Sequence, residues 1–167
     1  MLELTQQKAK LSSYTPRAEI HGPERVPAAT LKFEVHTASD VLAYFHPTLR
    51  ALLYWKNAAE QSDLADAAHD APNLRFPELG MPLAWGGEMV GASLILHNAL
   101  GGASDIVLTS NVDDYKITTQ EGGTVIVAFR CACHPDQDES GKLAMLVQTD
   151  VEISLAPPFN PQSEIAA

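Results

Sequence analysis

Between Ser93 and Phe129 strand-forming runs recur without any internal sequence repeat: Ser93–His97, Asp105–Thr109, Tyr115–Thr119 and Thr124–Phe129 are short and rich in Val, Ile, Leu and Thr. This recurrence constrains the fold more than any other feature. Gly101-Gly102, Asn111 to Asp114 and Glu121-Gly122-Gly123 separate the runs, and such residues reverse a chain at little steric cost. The pattern predicts an antiparallel meander. Leu143–Val147 and Val151–Leu155 extend it, the first with a helix as its alternative reading, and Pro157-Pro158 ends it.

The N-terminal half is less regular. Residues 1–13 carry a weak pattern and read as a loosely ordered lead, as do 157–167 at the other end. Arg17–His21 and Leu31–His36 alternate apolar with polar residues, and Gly22-Pro23 and Pro27 interrupt them, so two strands joined by a turn or loop are expected. Ser39 or Asp40 would then cap a helix through Val41, Leu42, Phe45, Leu49, Leu52 and Leu53. Because proline fits only the first turn of a helix, Pro47 can instead split this segment into a turn ending at His46 and a helix starting near Pro47.

Residues 57–90 read as an irregular acidic insertion. Glu60, Asp63, Asp66 and Asp70 share one face at helical spacing, and Pro72, Pro77 and Pro82 exclude a long regular element. The sum is a single mainly β domain over 1–167: an antiparallel sandwich or open barrel of about seven or eight strands, one helix and the acidic insertion. A chain of this size buries roughly 70% of its unfolded surface, enough for a core without a metal or disulfide staple.

Charge and cysteines narrow the function classes. Eleven basic against 21 acidic residues give a formal charge of −10, a field that repels polyanions. Nucleic acid is therefore the less favoured partner, unless Lys8, Lys10, Arg17, Arg25 and Arg130 converge. Apolar runs fall far short of the roughly 20 residues that span a bilayer, so a membrane is not an expected partner. Cys131 and Cys133 project to one face of a strand, a geometry that opposes a disulfide, and two reduced thiols point to the cytoplasm.

Chemistry-bearing motifs are few. Cys131-Ala-Cys133-His134 contains zinc-ligand types but lacks the knuckle spacing and a second pair, so two core thiols beside a loop histidine are the better reading. Asp113-Asp114, and Asp136, Asp138 and Glu139, read as exposed acidic turns, the latter without the twelve-residue calcium pattern. Serine-elbow and phosphate-binding glycine motifs do not occur. No catalytic residue, cofactor or metal is expected. Tyr44, Phe45, Tyr54 and Trp55 read chiefly as packing between helix and sheet. The candidate partner-binding residues are Tyr54, Trp55, Glu60, Asp63, Asp66, Asp70 and Trp85.

Arg17-Ala-Glu-Ile-His-Gly-Pro-Glu-Arg-Val-Pro-Ala-Ala-Thr-Leu-Lys32, Val41-Leu-Ala-Tyr-Phe-His-Pro-Thr-Leu-Arg-Ala-Leu-Leu-Tyr54, Gly141-Lys-Leu143 and Val151-Glu-Ile-Ser-Leu155 span most of the chain. With these segments it resembles uncharacterised accessory proteins of phage and prophage early regions. The resemblance implies a bacterial host cytoplasm and roles in recombination, replication control or evasion of host defence. It implies no catalytic residues. The expected function is non-enzymatic binding of a host or phage protein, with anti-CRISPR-like inhibition as one form. The alternative is a single-stranded-DNA-binding or annealing accessory. An exposed edge strand would also allow pairing into a homodimer.

Overall fold

Alternation of buried and exposed residues builds the molecule, a computed structural model that describes residues 1–56, 72–97 and 104–158. Strand β1 (Leu4–His21) and strand β2 (Glu24–Ala38) form one long hairpin, turned at Gly22 with φ +63°. The lead expected over residues 1–13 is therefore replaced by a strand, because Leu4, Ala9 and Leu11 supply inward side chains. Pro27 does not break β2. Strand β8 (Thr124–Cys133) pairs with β2 only from Ala29 onward, and β9 (Asp150–Ala156) pairs with β1 only as far as Lys10. Pro16 and Pro27 thus lie where their strands have a free edge, and a missing N–H breaks no ladder.

Residues 39–44 form a 3₁₀ turn and Leu49–Leu53 a short helix, α1, so Pro47 splits the segment. Beyond α1, β3 (Tyr54–Trp55) pairs with β4 (Asn73–Leu74). The acidic positions 57–71 and the glycines of 98–103 lie outside the described residues. Strand β5 (Leu83–Trp85) precedes β6 (Met89–His97) and β7 (Ile106–Thr119).

Strand β7 corrects the expected meander. Asn111 to Asp114 do not reverse the chain; they form a bulge inside one strand, with Asp114 at φ +51° and a register shift between Asp113 and Lys116. Asn and Asp tolerate left-handed backbone, so the same residues serve a turn or a bulge. On one side β7 pairs first with β6 and, past the bulge, with β5; on the other it pairs with β8. That last ladder closes the sheet. Strands β7, β6, β9, β1, β2 and β8 form a six-stranded antiparallel barrel, with β5 as an added strand. It is neither the expected sandwich nor an open barrel.

The barrel interior is packed by Leu31, Phe33, Leu94, Leu96, Val127, Phe129, Ile153 and Leu155, each at most 2% exposed. Leu42 plugs the end at which β8 starts. Leu143 lies near the end at which β8 finishes, on helix α2 (Gln137–Met145). This helix replaces the acidic turn expected at Asp136, Asp138 and Glu139, and through Met145 it takes the helical alternative for Leu143–Val147 in place of the strand. Its cause is a capping box: the Asp136 carboxylate accepts the Glu139 N–H at 2.7 Å, and the Glu139 carboxylate accepts the Asp136 N–H at 2.9 Å. Outward positions carry Lys8, Lys10, Glu34, Arg130 and Glu152, the reverse of a lipid-facing barrel wall. No helix among the described residues is long and apolar enough to cross a membrane.

Candidate functional site

The residues expected to bind a partner have distinct fates. Tyr54 is buried, and its hydroxyl lies 2.8 Å from the Gln120 carbonyl and 3.0 Å from the Thr124 carbonyl across the β7–β8 turn. It is an anchor rather than a contact surface, and burial raises its pKa above the ordinary value. Trp85 is half-buried. Phe45 meets its ring edge-on at 5.8 Å and Tyr115 at 5.6 Å, and the row continues through Phe129 to Phe33 in the core. Tyr54 is thus buried in the packing, and Trp85 packs on Phe45 while staying partly exposed. Glu60, Asp63, Asp66 and Asp70 lie outside the described residues.

Trp55 remains as a surface residue. The residue is 42% exposed while its indole N–H donates to the Leu74 carbonyl at 3.2 Å, so the side chain is fixed in place. Leu52, Phe76 and Leu79 are exposed on the adjoining segments, which are joined by the bond from the Arg75 N–H to the Leu53 carbonyl. The support beneath is rigid. Gly123 has φ +81°, and a Cβ there would stand 2.6 Å from Pro72, so only glycine lets the chain cross the β7–β8 turn this closely. An open cleft of about 350 Å³ lies beside Trp55, lined by Pro47, Arg50, Ala51, Tyr54, Lys56 and Pro72. Lys56 and Pro72, the described residues on either side of positions 57–71 in the sequence, both line this cleft.

The cysteine motif comes apart. Cys131 and Cys133 face the barrel interior, and desolvation raises both thiols, Cys133 to about 11. The buried Ser110 hydroxyl has no oxygen or nitrogen partner among the described residues and faces the Cys131 sulfur. His134 points the other way, to the Glu19 carboxylate at 3.0 Å. Asp113 is also occupied, by Arg130, so Asp113-Asp114 is no open carboxylate pair.

Sequence reasoning missed two polar clusters. On the outer wall His97 Nδ1 lies 3.0 Å from the Asp105 carboxylate, and its Nε2 lies 2.7 Å from Ser154 Oγ. This is the bonding order of a Ser-His-Asp relay. Such a relay also needs donors 2.7–3.1 Å from the developing oxyanion. The amide that reaches Ser154 among the described residues, that of Gln6, donates to the hydroxyl itself at 3.0 Å. The bonds of the cluster tie β1, β6 and β9 together across the sheet. The second cluster is at the hairpin tip, where Glu19, His21 and His134 meet. Hydrogen bonds from His134 and then His21 hold the Glu19 carboxyl below its ordinary pKa.

Comparison of the chain with known protein families, with curated proteins and with solved structures gives no match.

Proposed function

We propose that the chain is a non-enzymatic accessory protein that binds a host or phage protein through the face around Trp55. The observation that carries this reading is a half-exposed tryptophan held by its indole N–H, with Leu52, Phe76 and Leu79 exposed on the adjoining segments. Apolar side chains fixed before contact lose little entropy on binding, which is the character of an interface anchor. Between 57 and 71 the sequence carries Glu60, Asp63, Asp66 and Asp70 with no Lys or Arg, and both flanks of that segment line the cleft beside Trp55. An apolar anchor followed in sequence by an acidic segment suits a basic partner, such as a nucleic-acid-binding protein. This extends, with the phage resemblance, to an anti-defence inhibitor of the anti-CRISPR kind.

Affinity capture from host lysate with mass spectrometry tests the reading. A stoichiometric partner is expected with the wild-type chain and a depleted one with Trp55→Ala; recovery of none at any salt concentration overturns it. The single-stranded-DNA reading has weaker support. Lys10 stands opposite Glu34 and Asp150, Lys8 pairs with Asp150 at 3.0 Å, and Asp113 holds Arg130, so cations alternate with acids instead of lining a groove. Fluorescence anisotropy with a labelled oligonucleotide at low salt measures that alternative directly.

A further inference from the structure

We infer that Glu19, His21 and His134 bind one transition-metal ion of the zinc class at the tip of the β1–β2 hairpin. The two imidazole Nε2 atoms converge on one oxygen, Glu19 Oε2, at 3.4 Å from His21 and 3.0 Å from His134, and the ligand atoms all lie within 4.8 Å of one another. With metal–ligand bonds of about 2.1 Å, the corners of a tetrahedron stand roughly 3.4 Å apart. Both imidazole–carboxylate separations match that spacing to within about 0.4 Å.

The backbone prepares this arrangement. Glu19 and His21 are two residues apart on one strand and so project to the same face, next to the turn at Gly22. His134 arrives from a segment 115 positions away and is flanked by buried Cys133 and buried Pro135, which fix its main chain. Two imidazole nitrogens with one carboxylate favour zinc and its neighbours over magnesium or calcium, which take oxygen ligands. The side chains are 39%, 62% and 54% exposed for Glu19, His21 and His134, so an ion would keep a coordination position open to water or to a ligand atom from another molecule. Bound there, it would clip the projecting hairpin arm to the end of β8. The site lies at the opposite end of β2 from the α1 side of the molecule and does not depend on the proposed partner face.

The same chain supplies an internal comparison. Glu34 and His36 repeat the two-residue strand spacing, with Nε2 3.2 Å from the carboxylate, but no third ligand joins them among the described residues. Three ligands against two should separate the sites.

Isothermal titration of the tag-free, full-length chain with zinc chloride, paired with visible absorption of the cobalt(II)-loaded protein, tests the assignment. One zinc per chain and the absorption of tetrahedral cobalt are expected for wild type. Both should be lost in His134→Ala and in Glu19→Gln, and both should persist in His36→Ala. All these side chains are at the surface, and an unchanged unfolding midpoint without metal confirms that each variant folds. Absence of saturable binding at one ion per chain overturns the inference, as does binding that survives both site substitutions.

Discussion

Arg130 grips Asp113 through two parallel hydrogen bonds, Nε to Oδ1 and Nη2 to Oδ2, both 2.7 Å long. The pair spans β8 and β7 at the residue where β7 begins its bulge. A planar guanidinium matched to a carboxylate fixes direction as well as distance, so it holds the strand where its register changes. The hydrogen bond from Arg130 lowers the Asp113 pKa from its ordinary 3.8.

Arg130→Ala should cost about 1 kcal/mol, because both side chains are about a third or more exposed and solvent screens the pair. The pH dependence has a definite sign. A depressed carboxyl pKa gives stability that is present above about pH 4 and is lost as pH falls through the lower folded value. Urea unfolding of wild type and variant across that window should converge at the acid end.

Tyr54→Phe should destabilise by about 1–2 kcal/mol, because it removes the hydroxyl that ties the α1 side to the Gln120 and Thr124 carbonyls. Trp55→Ala should lower the unfolding midpoint less than Tyr54→Phe does, through its solvent-exposed bond to Leu74, and weaken partner binding by about 2 kcal/mol, roughly 30-fold in Kd. Thermal unfolding and binding measured on both variants separate an anchor from a contact.

Cys131 and Cys133 should resist a thiol reagent such as Ellman's in the native protein and react on unfolding. Burial removes access, and the raised pKa values suppress the reactive thiolate. Stopped-flow absorbance in the presence and absence of denaturant reads the difference. Rapid reaction of native protein would refute the packing of these thiols.

Ser154→Ala should behave as the loss of a structural hydrogen bond, costing about 1 kcal/mol. A fluorophosphonate probe should leave Ser154 unlabelled. Labelling that disappears in His97→Ala would instead establish a working relay.

Asp136→Ala should cost about 1 kcal/mol, the usual loss for a helix N-cap, and Asp136→Asn much less. Circular dichroism during urea unfolding measures both.

How much of this architecture was legible depended on the residues at each position. In β8 the alternation of Val125, Val127, Phe129, Cys131 and Cys133 is unbroken, and its inward face can be read directly. In β1 it is not. Register shifts between Leu4 and Gln7 and between Leu11 and Ser13 break the period of two, and Ala9 is a weak apolar signal. The α2 cap was present as Asp136 and Glu139, three residues apart ahead of Leu143, a pattern that competed with the reading of the same acids as a turn. The polar clusters were hidden for another reason. His97 meets Ser154 across 57 positions and His134 meets Glu19 across 115, and only the non-sequential strand order brings such residues together.

Closure also determines how the molecule meets copies of itself. A closed barrel offers few free sheet edges, and strand-to-strand growth needs rows of unpaired amides. The projecting hairpin arm retains such edges, and there Pro16 and Pro27 stand opposite Ala29 and Ala18. Each proline deletes an N–H that an incoming strand would bond, so the most exposed ribbon is also poorly suited to seed fibrils. Pro16→Ala with Pro27→Ala should form thioflavin-positive aggregates sooner than wild type under shaking.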